Sequence, residues 1–321
     1  MNIENYREAF LNFMTQNLLK SEPRNLYEPI DYIMSLGGKR MRPILVLMSC
    51  DLFDGDISEG MEAALSIEMF HNFTLIHDDI MDSADLRRGK ETVHKKWDLN
   101  TGILSGDALM IQSNQRLEYY EGKTFKELIS LYNKTALEVC EGQQLDMDFE
   151  TMQQVDLAEY LKMISYKTAV LVGASLKMGA IICNASLEDQ KRIYNFGLNL
   201  GIAFQLQDDY LDTFGAQDFG KKIGGDIIEG KKTFLYIKAM ELADYDDKEQ
   251  LLKLYEHTDD EDKKISEVKS IFTKYSVAEI LLTEIEKFTI KALADIDALS
   301  LDVSKQQLLK DFAMSLMTRK T

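Results

Sequence analysis

The prolines of this chain are confined to its first 43 residues: Pro23, Pro29 and Pro43 are followed by none from residue 44 to residue 321. Proline interrupts helix interiors and central strands alike, so a run of this length permits long elements of either kind. The residue types decide between them. Leu, Met, Ala, Glu, Lys and Gln predominate, all good helix formers, and apolar residues recur at helical spacing, as in Ile3, Tyr6, Phe10 and Phe13. The chain is therefore read as all-α.

Helices are predicted over 3–20, 29–36, 43–53, 58 to 77 or 82, 105–121, 124–149, 156–183, 186–214, 231–245, 247–256, 261–297 and 303–318. SEPRNLYEP reads as a loop, Leu36-Gly37-Gly38 as a helix stop, and Ser276 as a break in the run 261–297. The connections are short and polar, with no interdomain linker and no internal repeat. One domain over residues 1–321, a large helical bundle, is the economical expectation. Its acidic stretch at 241–264 reads as a solvated face.

Acidic residues outnumber basic ones 54 to 37, a formal charge of −17 that argues against a nucleic-acid-binding surface. Cys50, Cys140 and Cys183 are too scattered for a metal-ligand set and read as reduced thiols. MNIENYREAF lacks the pattern of a signal peptide, and no apolar run has the length of a membrane span. These features predict a soluble, cytoplasmic protein.

Two acidic clusters stand out: Asp78-Asp79-Ile80-Met81-Asp82 and Asp208-Asp209-Tyr210-Leu211-Asp212. On a helix, positions i and i+4 lie about 40° apart, one turn along, so each cluster aims two carboxylates at one point. Mg²⁺ is commonly held by one or two carboxylates, with water and phosphate oxygens completing its shell. A single such cluster could be a solvated acidic stretch. Here both follow apolar helical runs, where an unpaired carboxylate is costly, and both are followed by basic residues. Lys39, Arg40 and Arg42 in GGKRMRP, Arg87-Arg88, Lys167-Thr168 in an apolar helix, and Lys221, Lys222, Lys231 and Lys232 supply the cations of a site for phosphorylated substrates. No GxxxxGK[ST] loop occurs, so a P-loop nucleotide site is not indicated.

With these motifs in place the chain resembles the trans-isoprenyl diphosphate synthases, the farnesyl and geranylgeranyl diphosphate synthase family. The likeness runs from GGKRMRP through HNFTLIHDDIMD, RRG, GILSGDALM, EGQQLDMDFE, YKT, FQLQDDYLD and GKKIGGDIIEGKKT to KKTFLYIKA. It implies an all-α isoprenoid-synthase bundle with a central cavity, a homodimer, and Mg²⁺, about three ions per site. The implied activity is head-to-tail condensation of isopentenyl diphosphate with an allylic diphosphate. The implied isopentenyl diphosphate site is Lys39, Arg42, His71 and Arg88. Arg87, Lys167, Lys222 and Lys231 are implied to contact the allylic diphosphate. Asp78 and Asp82 match one metal cluster and Asp208 the other, with Asp212 and Asp226 in support. Lys167, Thr168 and Gln205 match groups beside the reacting carbon. The family often has Lys-Thr-Gly where this chain has Lys167-Thr168-Ala169, and the basic tail of some members is reduced here to Arg319-Lys320.

Product length is expected to depend on Phe73, five residues and roughly 7.5 Å before Asp78, with Phe70 and Thr74 beside it. In the family a bulky aromatic here forms a floor to the chain pocket. Thr74 in place of a second aromatic, and a first cluster without the two extra residues of typical bacterial farnesyl synthases, favour a C20 product over C15 or longer chains. Two other readings differ in kind. A terpene cyclase would not need Lys39, Arg42 and His71, and would replace the second cluster. A di-iron carboxylate protein would use the ExxH pairs Glu68/His71 and Glu91/His94, but leaves both aspartate clusters unexplained.

Overall fold

The computed structural model describes residues 3–17, 22–215, 223–256 and 260–317. Among them the α-helices are α1 (Ile3–Asn17), α2 (Arg24–Ser35), α3 (Met41–Leu52), α4 (Met61–Met81), α5 (Val93–Lys96), α6 (Leu99–Gln115), α7 (Gly122–Thr151), α8 (Leu157–Ile164), α9 (Val170–Ile182), α10 (Leu187–Phe214), α11 (Gly225–Glu229), α12 (Phe234–Leu242), α13 (Tyr245–Glu256), α14 (Glu261–Lys274), α15 (Val277–Asp297) and α16 (Val303–Met317). The one sheet described is a hairpin of two-residue strands, β1 (Leu86–Arg87) and β2 (Lys90–Glu91). Its turn residues Arg88 and Gly89 both have positive φ, as a type I′ turn requires. The all-α expectation holds. No helix among the described residues is long and apolar enough to cross a membrane.

Several boundaries differ from the sequence reading. The predicted loop before residue 29 is instead the start of α2, which carries Pro29 inside it. Burial of Pro29, Ile30, Ile33 and Met34 outweighs the one helix hydrogen bond that proline withholds. α6 starts at Leu99 because Asp98 caps it, accepting the Thr101 N–H at 2.9 Å. The run 156–183 is not one α-helix: α8 opens on an Asp156/Glu159 capping box and passes at Ser165–Ala169 into a π turn before α9 resumes. Ser276, at φ +52°, does break the run 261–297. Residues 18–20 and 318, predicted as helix ends, lie outside the described residues.

The chain groups into two compact units, residues 1–134 with 174–191, and residues 135–173 with 192–321. In the first unit α3 and α4 are buried on nearly all sides, from Ile44 to Cys50 and from Ala63 to Phe70. Glycines allow the neighbouring helices close approach. A Cβ on Gly106 of α6 would meet His77 Nε2 at 2.3 Å, and one on Gly179 of α9 would meet the Val46 carbonyl at 2.4 Å. Arg40 anchors the GGKRMR segment. It caps α3 at φ +50°, is 5% exposed, and donates to Glu68 and to the Met34 carbonyl. Asn72 donates to the same Glu68 carboxylate at 3.0 Å. In the second unit, Ala203 and Leu206 of α10 share one core with Phe234 and Tyr236 of α12, Phe272 of α14 and Leu281 of α15. A Cβ on Gly142 of α7 would meet the Lys167 backbone nitrogen at 2.2 Å, so this glycine admits the π turn against α7.

A buried ion pair is most costly when one partner is removed, because the other charge is left without compensation. Arg40→Leu is expected to destabilise the fold by about 3–5 kcal/mol. Adding Glu68→Leu should recover much of that loss. Urea denaturation of both single variants and the double one measures the coupling, and simple additivity would contradict it.

Candidate active site

In the first unit the predicted basic residues gather around His71. Arg42, in the first turn of α3, places its Nη1 3.1 Å from His71 Nε2. Arginine can only donate, so Nε2 accepts and the ring proton sits on Nδ1. Burial, then the charges of Arg42, Arg88, Arg87 and Arg40, hold the imidazole well below its ordinary value. His71 is therefore a neutral group among four guanidinium ions. Arg88, at the hairpin turn, donates to the Gly37 carbonyl. A Cβ on Gly38 would lie 2.7 Å from the Arg88 guanidinium carbon, so the Gly-Gly pair, at φ +79° and +117°, is what lets Arg88 rest on this segment. Lys39 is exposed beside it.

The three aspartates of the first cluster have separate fates. Asp79 is 1% exposed and receives the Arg87 guanidinium, with Nε 2.8 Å from both carboxylate oxygens and Nη2 2.6 Å from one. Asp78 is half-buried and Asp82 exposed, the latter capping the end of α4 with its N–H on the Asp78 carbonyl at 2.8 Å. The outer pair thus keeps the i, i+4 geometry. Arg87, expected on a substrate, is held by Asp79 here.

Upstream on α4, Phe73 lies in a series of aromatic contacts. Tyr132 meets Phe70 at 5.5 Å, Phe70 meets Phe73 at 5.5 Å, and Phe73 meets His77 at 4.9 Å between ring centroids. Thr74 turns its hydroxyl back onto the His71 carbonyl at 2.8 Å. The ExxH pairs do not form a helical site: Glu68 is bonded to Arg40, and Glu91 stands on β2 rather than on a helix.

In the second unit a cleft is lined by Lys167 and Thr168 of the π turn, Gln205 and Asp209 of α10, Asp226 of α11 and Lys231. Asp209 is 4% exposed and takes the Tyr160 hydroxyl on Oδ2. Burial, and then Asp226, push its carboxyl well above the usual range. Asp208 and Asp212 are the half-buried outer pair. Asp212 caps α11, its Oδ2 accepting the Asp226 N–H at 3.0 Å. Burial, followed by the Asp212 charge, raises Asp226 to about 6. Lys167 donates to Asp146 at 2.5 Å, and Lys231 reaches Glu229 at 2.6 Å and Asp226 at 3.8 Å. Lys232, by contrast, closes the end of α7 on the carbonyls of Phe149 and Glu150. Lys222 and the Arg319-Lys320 tail lie outside the described residues.

Asp146 and Tyr160 line the same cleft and were not singled out from the sequence. Asp146 is four residues past Gly142 in EGQQLD, a helical offset that could have flagged it. Nothing local marks Tyr160, whose partner is 49 positions away.

The donor set fits a hard divalent cation. Among the described residues no three carboxylate, imidazole or thiol side chains are grouped so as to hold a metal ion by themselves; Mg²⁺ commonly takes one or two carboxylates and completes its shell with phosphate oxygens and water. Burial is the first cause that raises Asp226 and the Asp212 charge the second, and it is the second that such an ion relieves.

The all-α fold carries two carboxylate pairs, each with cationic side chains in its own unit, a combination whose chemistry suits phosphorylated ligands. The profile of the polyprenyl synthetase family matches residues 23–273. A geranylgeranyl diphosphate synthase of Saccharolobus solfataricus is 39% identical over 272 residues, 83% of this chain and 82% of that protein. A crystal structure of a geranylgeranyl pyrophosphate synthase, 48% identical, covers all of both chains with a TM-score of 0.95. One from Pyrococcus horikoshii, 33% identical, covers 99% of this chain and 97% of that one at 0.93. The chain belongs to the polyprenyl synthetase family, the trans-isoprenyl diphosphate synthases.

The neutral His71 gives a measurable pH effect. In the unfolded chain an imidazole takes up a proton below about pH 6.5, whereas the folded one resists it. Stability contributed by His71 is therefore present above that pH and lost as the pH falls. His71→Asn should flatten the loss between pH 7.5 and 5.5, by at most about 1.4 kcal/mol per pH unit. Parallel denaturation curves at the two pH values check this, and an unchanged slope would contradict it.

Proposed function

We propose that this chain is a prenyltransferase that condenses isopentenyl diphosphate with an allylic diphosphate, head to tail, giving C20 geranylgeranyl diphosphate. The observation that carries the reading is the shared build of the two clusters. In each, the middle aspartate is tied to a neighbour, Asp79 to Arg87 and Asp209 to Tyr160, while the outer pair keeps the spacing of a cation site. The similar proteins named as geranylgeranyl diphosphate synthases support the C20 product.

Lys39, Arg42, His71 and Arg88 are proposed to hold isopentenyl diphosphate. Two guanidinium forks suit a diphosphate, and the neutral His71 can offer its Nδ1–H to a phosphate oxygen. Asp78 and Asp82, and Asp208 supported by Asp212 and Asp226, are proposed to hold Mg²⁺. When bound, the ions supply charge stabilisation to the departing diphosphate. Lys167 and Lys231, with Lys222 and Arg87, are proposed to bind that same group. Lys167 would exchange Asp146, and Lys231 would exchange Glu229, for phosphate oxygens. As the allylic C1–O bond breaks, the Thr168 and Gln205 oxygens lie where positive charge develops. The isopentenyl C4 then forms the new bond to C1, and its C2 proton leaves to the released diphosphate.

Phe73, backed by Phe70 and His77, is proposed as the floor that limits product length, with Thr74 leaving it less shallow than a second aromatic would. We further propose a single catalytic domain, cytoplasmic, acting as a homodimer. The exposed Leu104 and Ile111 of α6 support an association surface.

With Mg²⁺, isopentenyl diphosphate and C5, C10 or C15 primers, chromatographic sizing should show a C20 product. No elongation from any primer would overturn the reading. Asp78→Ala should lower kcat at least about 100-fold. Phe73→Ala should lengthen the product beyond C20, and an unchanged product would remove Phe73 as the floor.

A further inference from the structure

The surroundings of Asp209 carry an inference that rests on the reading of the cleft as the allylic site. Gln205 lies one helical turn before Asp209, and its amide has two polar neighbours. Its Nε2 is 3.5 Å from Asp209 Oδ1, and its Oε1 accepts from the Thr168 hydroxyl at 3.4 Å. A primary amide has one donor end and one acceptor end of nearly equal shape, so neighbours alone decide which end faces where.

Asp209 makes that decision. Its Oδ2 is engaged by the Tyr160 hydroxyl. Its Oδ1 is left to face Gln205, and there it accepts from the amide Nε2. Opposite an acceptor, Gln205 must present its NH₂, which turns its carbonyl oxygen toward Thr168 and the cleft. The reversed amide would set oxygen against oxygen beside a buried carboxyl, leaving an acceptor unsatisfied there. Thr168 does not oppose this, because a hydroxyl can donate to whichever oxygen it meets.

We propose that Asp209 is a positioning residue for the reaction: backed by Tyr160, it fixes the amide of Gln205 so that its carbonyl oxygen faces the breaking allylic C–O bond. An oxygen dipole already aimed at the carbon that gains positive charge lowers the barrier without reorganisation, whereas an NH₂ in its place would raise it. Asp209 touches neither substrate nor reacting carbon in this scheme. It acts through the orientation of one amide.

Orientation can be tested separately from packing. Asp209→Asn keeps the shape but offers a donor, which lets Gln205 turn its carbonyl away from the cleft. Its kcat should fall about 10- to 100-fold, with the KM for isopentenyl diphosphate unchanged. Glutamate at position 205 has oxygen at both ends, so adding Gln205→Glu to Asp209→Asn should recover about tenfold of the loss. A purely structural role for Asp209 predicts no such rescue. Tyr160→Phe, which frees Oδ2, should lower kcat in the same direction and by less.

Circular dichroism and thermal melting establish that each variant is folded. A folded Asp209→Asn variant with kcat within about twofold of the parent, or a double variant no faster than it, overturns the inference. Should Asp209→Asn not fold, a folded Tyr160→Phe variant with unchanged kcat overturns it instead. If the unsubstituted enzyme elongates no allylic primer, the reading of the cleft falls and this inference with it. Elongation by the unsubstituted enzyme with undiminished variants removes the inference alone.

Discussion

A helix with aspartates at i, i+1 and i+4 brings three like charges within little more than one turn, and their repulsion has to be met by something other than water if the site is to be partly closed. Each of the two clusters meets it at the middle residue. Asp79 is buried under the guanidinium of Arg87, which cancels its charge outright. Asp209 is buried against a phenol, which satisfies its oxygen but brings no charge. The excess of negative potential around Asp209, Asp226 and Asp146 is consequently left for cations outside the backbone fold to answer, and Lys167 and Lys231 partly answer it already. Two stretches spelled alike are therefore electrostatically different: in one the middle carboxylate is paired with a guanidinium, in the other it is not.

The same distinction between charge and role applies to the basic residues. The chain is acidic overall, yet Arg40, Arg42, Arg87 and Arg88 all bear on one imidazole. Within GGKRMR, neighbours two positions apart part company. Arg40 is buried on Glu68 and shapes the segment, while Arg42 is turned to His71. Net charge says nothing about this pocket, because a local cluster, not the sum, sets the field at a site.

Much of the fold was legible because helix-forming residues and the absence of proline agree over most of the chain, and because glycine and capping residues mark many ends. What escaped were places where packing overrode local preference: Pro29 inside α2, the early start of α6, and short α11. The candidate site was legible where its residues come as ordered motifs, from GGKRMRP to the two DDxxD stretches. Partnerships were not. Arg40 with Glu68 spans 28 positions and Tyr160 with Asp209 spans 49, and no pattern within a single helix announces which cation or hydroxyl will arrive from elsewhere. Sequence spacing identified carboxylates able to aim together; it took the packing to show that the middle one of each cluster is buried against a partner from elsewhere in the chain.

The π turn at Ser165–Ala169 bears on how such a helix is read at all. A single turn of i→i+5 bonding is an α-helix with one residue too many, so the residues after it are out of phase by about 100° with those before it. The helical wheel drawn through 157–182 as one continuous cylinder assigns Lys167 and Thr168 to a face and then misplaces everything beyond them. Drawn as two cylinders, Tyr160 and Met163 keep their place in one core, Ala174 to Met178 keep theirs in another, and the surplus residue is absorbed where the polar pair emerges. In the language of sequence change, this is an insertion accommodated in place, and its width of one residue is what lets a lysine and a threonine leave an otherwise apolar helix without disturbing the packing on either side.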